Sequence, residues 1–391
     1  MLKKTKEVLQ NPLYVGIILT IITIIITGQT YLLTVLRNEE AGATHYNNYK
    51  IFKESYFHLI QNKDLYQLYP AEHFDYFKYS PTFSLLMAPI AYLPDLAGLF
   101  LWNLLNVLVL FLALWKLPLQ TNRTRLFMLA IILIELITSI QNSQSNGLIA
   151  GLIIFAFIFL EKKKIAMASL FIVLCVFIKI FGIVAFAIFL FYPEKLKAIA
   201  YTIGWTLLFL ALPLILISTN QLLFLYRSWF DLLSYDHSVS YGLSTAGWLY
   251  SWFGVAINKN IILLLGAIIF LIPALKFKYY EDQTFKTLFL SSILIWVVIF
   301  NHKAESATFI IAVAGVAIWF YSQERKIENT ILLFLAIIFT VLSPTDLFPK
   351  GIRENYVIPY VLKAVPCILI WFKIIYELTT FGMRKSRDLI T

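Results

Sequence analysis

Residues 161–197 read EKKKIAMASLFIVLCVFIKIFGIVAFAIFLFYPEKLK. Two basic clusters, 161–164 and 194–197, bracket 29 mostly apolar residues whose one charge is Lys179. Lys and Arg of membrane proteins collect in cytoplasmic loops. Both clusters therefore belong on one side, and the chain between them must go out and return. Each leg is then about 21 Å long at 1.5 Å per residue, short of the roughly 30 Å hydrocarbon core. The spacing predicts two half-length helices with Lys179 at the apex. One long tilted helix that buries the lysine is the other reading.

The rest of the chain is of the same class. Of 391 residues, 60% are hydrophobic and 14% charged, and the mean hydropathy is +0.78. Soluble domains carry about 25% charged residues, so disorder, a coiled coil, nucleic-acid binding and an ordinary soluble enzyme are excluded. The composition is that of an all-α polytopic membrane protein. Candidate spans fall at 13–36, 96–115, 126–140, 147–160, 165–178, 180–193, 198–218, 261–275, 287–300, 307–322, 329–343 and 357–376, about twelve in all. The first, Leu13 to Leu36, is longer than a signal h-region and reads as a retained span. With both termini cytoplasmic, the inner segments hold 19 Lys plus Arg in 60 residues and the outer loops 10 in 112. That asymmetry fixes the expected orientation and accounts for the net charge of +10 without a polyanion partner. Cys175 and Cys367 both lie in apolar runs, so neither a disulfide nor a metal site is expected.

The chain reads as one transmembrane domain, 1–391, with two large outer segments, 37–95 and 219–260. Within the first, 81–95 (PTFSLLMAPIAYLPD) has three prolines in 15 residues. A full span there would put every later basic cluster outside, so it reads as a re-entrant or surface-lying helix. Irregular backbone at membrane depth is tolerated where it lines a cavity. Upstream, Tyr49, Phe52, Tyr56 and Leu59 fall on one face of a helix over 47–61, an amphipathic helix on the outer surface. Aromatic rings beside carboxylates and amides suit a sugar; an interfacial aromatic belt is the bland alternative.

Asn48, Ile51 and Phe52 are followed by Asp64-Leu65-Tyr66, Tyr79-Ser80-Pro81, Pro89 and Pro94, then by Leu101-Trp102-Asn103 with Asn106, Ser143-Gln144-Ser145-Asn146, Lys179 and Asp236-His237-Ser238. These short elements, in order over about residues 40–320, resemble glycosyltransferase family 87, membrane enzymes of the GT-C class that use polyprenyl-phosphate sugars. Asn48, Ile51 and Phe52 stand where the family has Asp, an apolar residue and an aromatic. Leu101-Trp102-Asn103 with Asn106 is similar to the family's Leu-Trp-x-x-x-Asn. Ser143-Gln144-Ser145-Asn146 matches its Gly-Gln-x-Asn turn, Lys179 its intramembrane lysine, and Asp236-His237-Ser238 its later Asn-Gln-Ser. The resemblance implies a GT-C fold of about 12 transmembrane helices with an outer amphipathic or re-entrant segment. It implies inverting transfer of a hexose such as mannose from a polyprenyl-phosphate donor to an extracytoplasmic glycan or glycolipid acceptor, in the cell (inner or plasma) membrane.

One departure matters. The family's catalytic base is an Asp at the position of Asn48 (or Asn47, in a register shifted by one), and an amide cannot accept the proton. An attacking hydroxyl still needs a carboxylate nearby, and the departing phosphate needs a cation or N–H donors. Candidate bases are Glu39 and Glu40 just past the first span, Asp75 between Phe74 and Tyr76, Asp236, and His302 in the six-residue turn 301–306. Candidate substrate contacts are Asn48, Tyr66, Tyr79, Gln144, Asn146, Lys179, His237 and Glu305. Gln144 and Asn146 could instead cap helices, and Lys179 could pair with Glu135 in the third span. An ionisable group inside the membrane is a functional candidate by default, which puts Lys179 first, as the partner of a lipid-linked phosphate. No DxD motif occurs in the outer loops and a monophosphate leaving group requires no metal, so no cofactor is expected. Two rivals remain: a transporter or flippase of a lipid-linked sugar, and a non-catalytic binder of one.

Overall fold

The computed structural model of the chain describes residues 11–36, 44–118, 121–236 and 241–382. Among them there is no strand. In chain order the main helices are α1 (Pro12–Leu36), α2 (Asn47–Ile60), the short α3 (Pro81–Leu86) and α4 (Ala88–Ala91), α5 (Asp95–Lys116), α6 (Asn122–Gln141), α7 (Asn146–Glu161) and α8 (Ile165–Ile178). A 3-10 helix, Ile180–Phe191, follows. Then come α9 (Lys195–Ala211), α10 (Thr219–Asp236), α11 (Thr245–Phe253), α12 (Lys259–Leu271), α13 (Gln283–Ile299), α14 (Phe309–Tyr321), α15 (Ile327–Leu335) and α16 (Val365–Thr379). Among the described residues, four helical segments, α1, α5, α6 and α9 with its extension to Ile215, are long and apolar enough to cross a membrane, and seven shorter apolar helices run 10–17 residues. The expected last span, 357–376, starts late: Pro366 sits in the first turn of α16, and residues 358–364 are turns.

The chain divides into two compact units. One comprises Met1–Lys116, Leu136–Ile183 and Leu196–Val239; the other comprises Leu117–Glu135, Val184–Lys195 and Ser240–Thr391.

In the first unit α5 packs on α1 and α7, and α7 on α8. The α5–α7 contact is close because α7 opens with Gly147-x-x-x-Gly151, a spacing that lets two apolar helices bring their backbones together. A Cβ on Gly151 would lie 2.9 Å from the Val109 carbonyl carbon and 3.0 Å from the Leu110 nitrogen. Backbone cannot swing away, so Gly151→Ala is expected to cost about 1–3 kcal/mol as overpacking. Thermal unfolding in detergent, compared with Gly28→Ala (whose Cβ meets nothing within 4 Å), checks this.

The break at Lys179 is present. Helix α8 ends at Ile178 and Lys179 is extended, φ −140° and ψ 117°. Gly182 then returns against Cys175, where a Cβ would lie 3.1 Å from the Cys175 carbonyl carbon. In a continuous helix those residues would be about 10 Å apart along the axis, so the chain doubles back here. The following 12 residues wind as 3-10. At about 2.0 Å per residue they reach about 24 Å, against about 18 Å for an α-helix.

The prolines of 81–95 have the expected effect, breaking it into α3 and α4. Ser80 caps α3, its side chain accepting from the Phe83 N–H. Three buried hydroxyls then fasten the segment to backbone carbonyls. Ser80 donates to Phe177 (2.6 Å), Thr82 to Phe209 (2.6 Å) and Ser84 to Ser55 (2.6 Å). In the second unit α13 packs on α14 and α16, and buried Glu135 on α6 pairs with Lys363 at 2.6 Å.

Candidate functional site

The first unit gathers most of the described site candidates around the 142–146 turn between α6 and α7. This turn is over-determined. Ser143 has φ +51°, a left-handed conformation uncommon for a residue with a side chain. Its carbonyl accepts from the Trp102 indole N–H at 2.8 Å. The Asn142 carbonyl accepts from the Asn48 amide at 2.9 Å. The Leu148 N–H donates to Asn106 Oδ1 at 2.9 Å, and the Asn106 amide is itself held by the Trp102 carbonyl at 3.0 Å. Asn106 thus takes over the capping of α7. Trp102 and Asn106 are positioning residues that the sequence reading did not place in the site, although their spacing within α5 signalled them.

With the cap assigned to Asn106, the Gln144 and Asn146 side chains accept from Lys179. Its Nζ lies 3.2 Å from Gln144 Oε1 and 2.7 Å from Asn146 Oδ1. The ammonium also stands 5.9 Å from the Tyr79 ring centroid and 5.6 Å from that of Phe181. Both amides accept from the ammonium and orient it. Gln144 and Asn146 are buried and Lys179 is half-buried. The hydroxyls of Ser143 and Ser145, interleaved with these amides, are buried without a hydrogen-bond partner. Buried unpaired hydroxyls are uncommon in folded proteins and point to a missing partner. Glu135, the alternative partner for Lys179, is engaged with Lys363 instead.

The aromatic face of α2 is buried as its spacing predicts, with Tyr49, Phe52, Tyr56 and Leu59 all inside. It is covered by protein. Phe52 meets Tyr79 (4.8 Å between centroids), Phe83 (5.3 Å) and Trp102 (5.3 Å). Tyr66 joins this core and its hydroxyl donates to the Tyr79 carbonyl at 2.9 Å. On the other face of α2, Lys53 (2.6 Å), Lys50 (3.4 Å) and the Tyr46 hydroxyl (3.3 Å) all reach Asp95 at the start of α5.

Among the candidate bases, Asp75 is brought to the Asn48 end of α2. The preceding Phe74 N–H donates to Asn47 Oδ1 at 3.0 Å. Asp75 is 54% exposed, paired with Lys78 at 3.4 Å. Asp64, by contrast, is occupied by the Ser228 hydroxyl (2.9 Å) and the Tyr66 N–H (3.1 Å). Ser228 belongs to α10, a helix missed within the second polar segment. Its signal was present, since Leu222, Leu225, Trp229 and Leu232 follow helical spacing. Helix α10 lies along the first polar segment, with Gln221 donating to the Asn62 carbonyl (3.0 Å) and Trp229 to that of Lys78 (3.1 Å). Asp236 ends α10; Glu39, Glu40 and His237 lie outside the described residues.

His302 and Glu305 belong to the second unit. Glu305 caps the short helix Ser306–Thr308 in a reciprocal box with Thr308. The His302 carbonyl lies against Gly242 (φ +56°), whose missing side chain permits that approach.

The sequence model of a known family, described as Glycosyltransferase family 87, matches residues 77–344. No curated protein matches the chain. The matched stretch contains Tyr79, the 142–146 turn and Lys179.

Proposed function

Because the chain belongs to glycosyltransferase family 87, and is therefore a membrane glycosyltransferase, we propose that it transfers a hexose, mannose foremost, from a polyprenyl-phosphate donor to a glycan or glycolipid acceptor. In this reading transfer takes place on the extracytoplasmic side of the cell membrane, both termini face the cytoplasm, and the anomeric centre inverts. The observation that carries it is the Lys179 ammonium, held by two neutral amides where the chain doubles back. An ammonium at a break between apolar helices suits the phosphate of a lipid-linked donor.

The acceptor hydroxyl attacks the anomeric carbon while the bond from that carbon to the phosphate oxygen breaks. The growing charge on the leaving phosphate is met by Lys179, with the Ser143 and Ser145 hydroxyls as further donors. The proton of the acceptor passes to a carboxylate. Asn48 cannot take it, and its N–H is committed to the Asn142 carbonyl. Asp75, tethered next to the start of α2 and open to the acceptor, is the base in this proposal. No cofactor enters the reaction.

Purified protein given radiolabelled polyprenyl-phosphate mannose and an acceptor glycolipid tests the reading. Release of free polyprenyl phosphate with label in the acceptor supports it. Uptake into vesicles with the donor bond intact identifies a transporter. Tight donor binding with neither outcome identifies a binding protein, the result Asn48 would then explain. Asp75→Asn is expected to lower turnover at least tenfold, general-base contributions being about 10²–10⁴-fold. Full activity in that variant would move the role elsewhere.

A further inference from the structure

His58, Glu72 and His73 form a cluster that the transfer reaction does not use. Each offers one ligand atom, and these atoms lie within 4.8 Å of one another. His58 stands in the last turn of α2. Glu72 and His73 return to it in a turn fixed by the Tyr69 carbonyl, which accepts from both backbone N–H groups at 2.8 and 3.0 Å. The Tyr69 ring lies 3.9 Å from the His58 ring, and its hydroxyl donates to the Asp64 carbonyl at 2.7 Å. His58 Nε2 and Glu72 Oε2 are 2.8 Å apart. His73 is only 2% exposed, and its Nδ1 is buried without a hydrogen-bond partner. A buried ring nitrogen left unpaired is costly. Its company here, a second imidazole and a carboxylate, consists of metal-ligand types.

We propose that His58, Glu72 and His73 bind one divalent transition-metal ion, zinc foremost, as a clamp between the end of α2 and the 61–80 segment. Two imidazoles and one carboxylate are a donor set that zinc accepts, with water in the fourth position. Bonds of about 2.0–2.1 Å in a tetrahedron place donor atoms about 3.3 Å apart. The 2.8 Å pair opens slightly to reach that spacing, and the wider separations close. The Glu72 side chain, 33% exposed, is the mobile partner and marks the side from which ion and water enter. The site shares no residue with the Lys179 cradle, and the role assigned to the ion is structural.

The full-length protein in detergent is stripped with EDTA, given one equivalent of Zn²⁺, desalted and analysed for zinc. Size exclusion reports the fold. Wild type is expected to retain one zinc per chain and to unfold at a higher temperature than the stripped protein. Glu72→Gln and His73→Asn, close in shape to the originals, are expected to weaken zinc binding at least about tenfold while eluting normally. Cobalt(II) in place of zinc should give the visible absorption of a tetrahedral centre in wild type alone. No zinc retained by wild type, or equal retention in wild type and both variants, overturns the proposal and leaves His58 and Glu72 a simple hydrogen-bonded pair. No sugar substrate enters the measurement, so its outcome is independent of the transferase reading.

Discussion

Lys179→Ala is expected to abolish use of the proposed lipid-phosphate donor, with turnover falling at least about 10²-fold, while the protein still folds. The size follows from the proposed chemistry. Removing one preorganised donor from a developing negative charge costs about 10²–10³-fold in enzymes generally, and an ammonium in a partly dehydrated site is a stronger donor than a neutral N–H. The fold survives because Lys179 lies between helices, with extended backbone and a half-buried side chain. Gln144 Oε1 and Asn146 Oδ1 each lose a hydrogen bond, a penalty of about 1–3 kcal/mol per buried acceptor. Donor affinity and turnover must be measured separately. Loss of both identifies Lys179 as a phosphate contact present in ground and transition states. Loss of turnover alone places its action at the departing oxygen. Unchanged affinity with unchanged turnover removes the lysine from the site and, with it, the observation on which the mechanism stands.

That lysine was the most legible feature of the sequence, and the reason is physical. A charge in an apolar run is expensive anywhere in a bilayer, and the two flanking basic clusters fix the length available on either side of it. Both constraints are local, so residues 161–197 alone reduce the reading to a break at Lys179 or one long tilted helix, and the structure has the break. The aromatic face of α2 was legible for a similar reason, the helical period being written in Tyr49, Phe52, Tyr56 and Leu59. What covers that face was not. Periodicity says that a stripe is buried without saying against what, and the membrane surface expected there is replaced by Tyr79, Phe83 and Trp102. Helix α10 is hard to read in the sequence because its polar residues, among them Asn220, Gln221, Arg227 and Asp231, interrupt a narrow apolar stripe. The roles around the 142–146 turn depended on which side chain reached the Leu148 N–H in the first turn of α7. Asn106, 42 positions earlier in the chain than Leu148, takes it, and no local rule announces a contact of that range.

Lys363→Met, made alone, is expected to destabilise the protein by about 3–5 kcal/mol, and Glu135→Leu made together with it is expected to restore most of that loss. Glu135 and Lys363 are 228 positions apart and their side chains 0% and 5% exposed. Nothing in the sequence near Glu135 favours Lys363 over Lys179 as its partner; the fold of the second unit decides. Two charges taken out of water lose several kcal/mol of hydration each, which the mutual attraction roughly offsets. Removing one member leaves the other charged, buried and unsolvated, hence the large penalty. Here Glu135 already holds one carboxylate oxygen, Oε2, with no hydrogen-bond partner, so it has no ready substitute for the ammonium. Removing both members removes the cause of the penalty, and well-packed apolar pairs of similar volume are often as stable or more so by about 1–4 kcal/mol. Some loss should remain in the double variant. The Lys363 ammonium also stands 5.1 Å from the Phe309 ring centroid, an attraction worth on the order of 1–2 kcal/mol when shielded from water. A double-mutant cycle read by thermal or denaturant unfolding in detergent measures the coupling directly. Single variants that lose less than about 1 kcal/mol, or a double variant as unstable as the worse single, would mean that water or a rearranged neighbour solvates the lone charge, and the pair would then be incidental to the stability of the second unit.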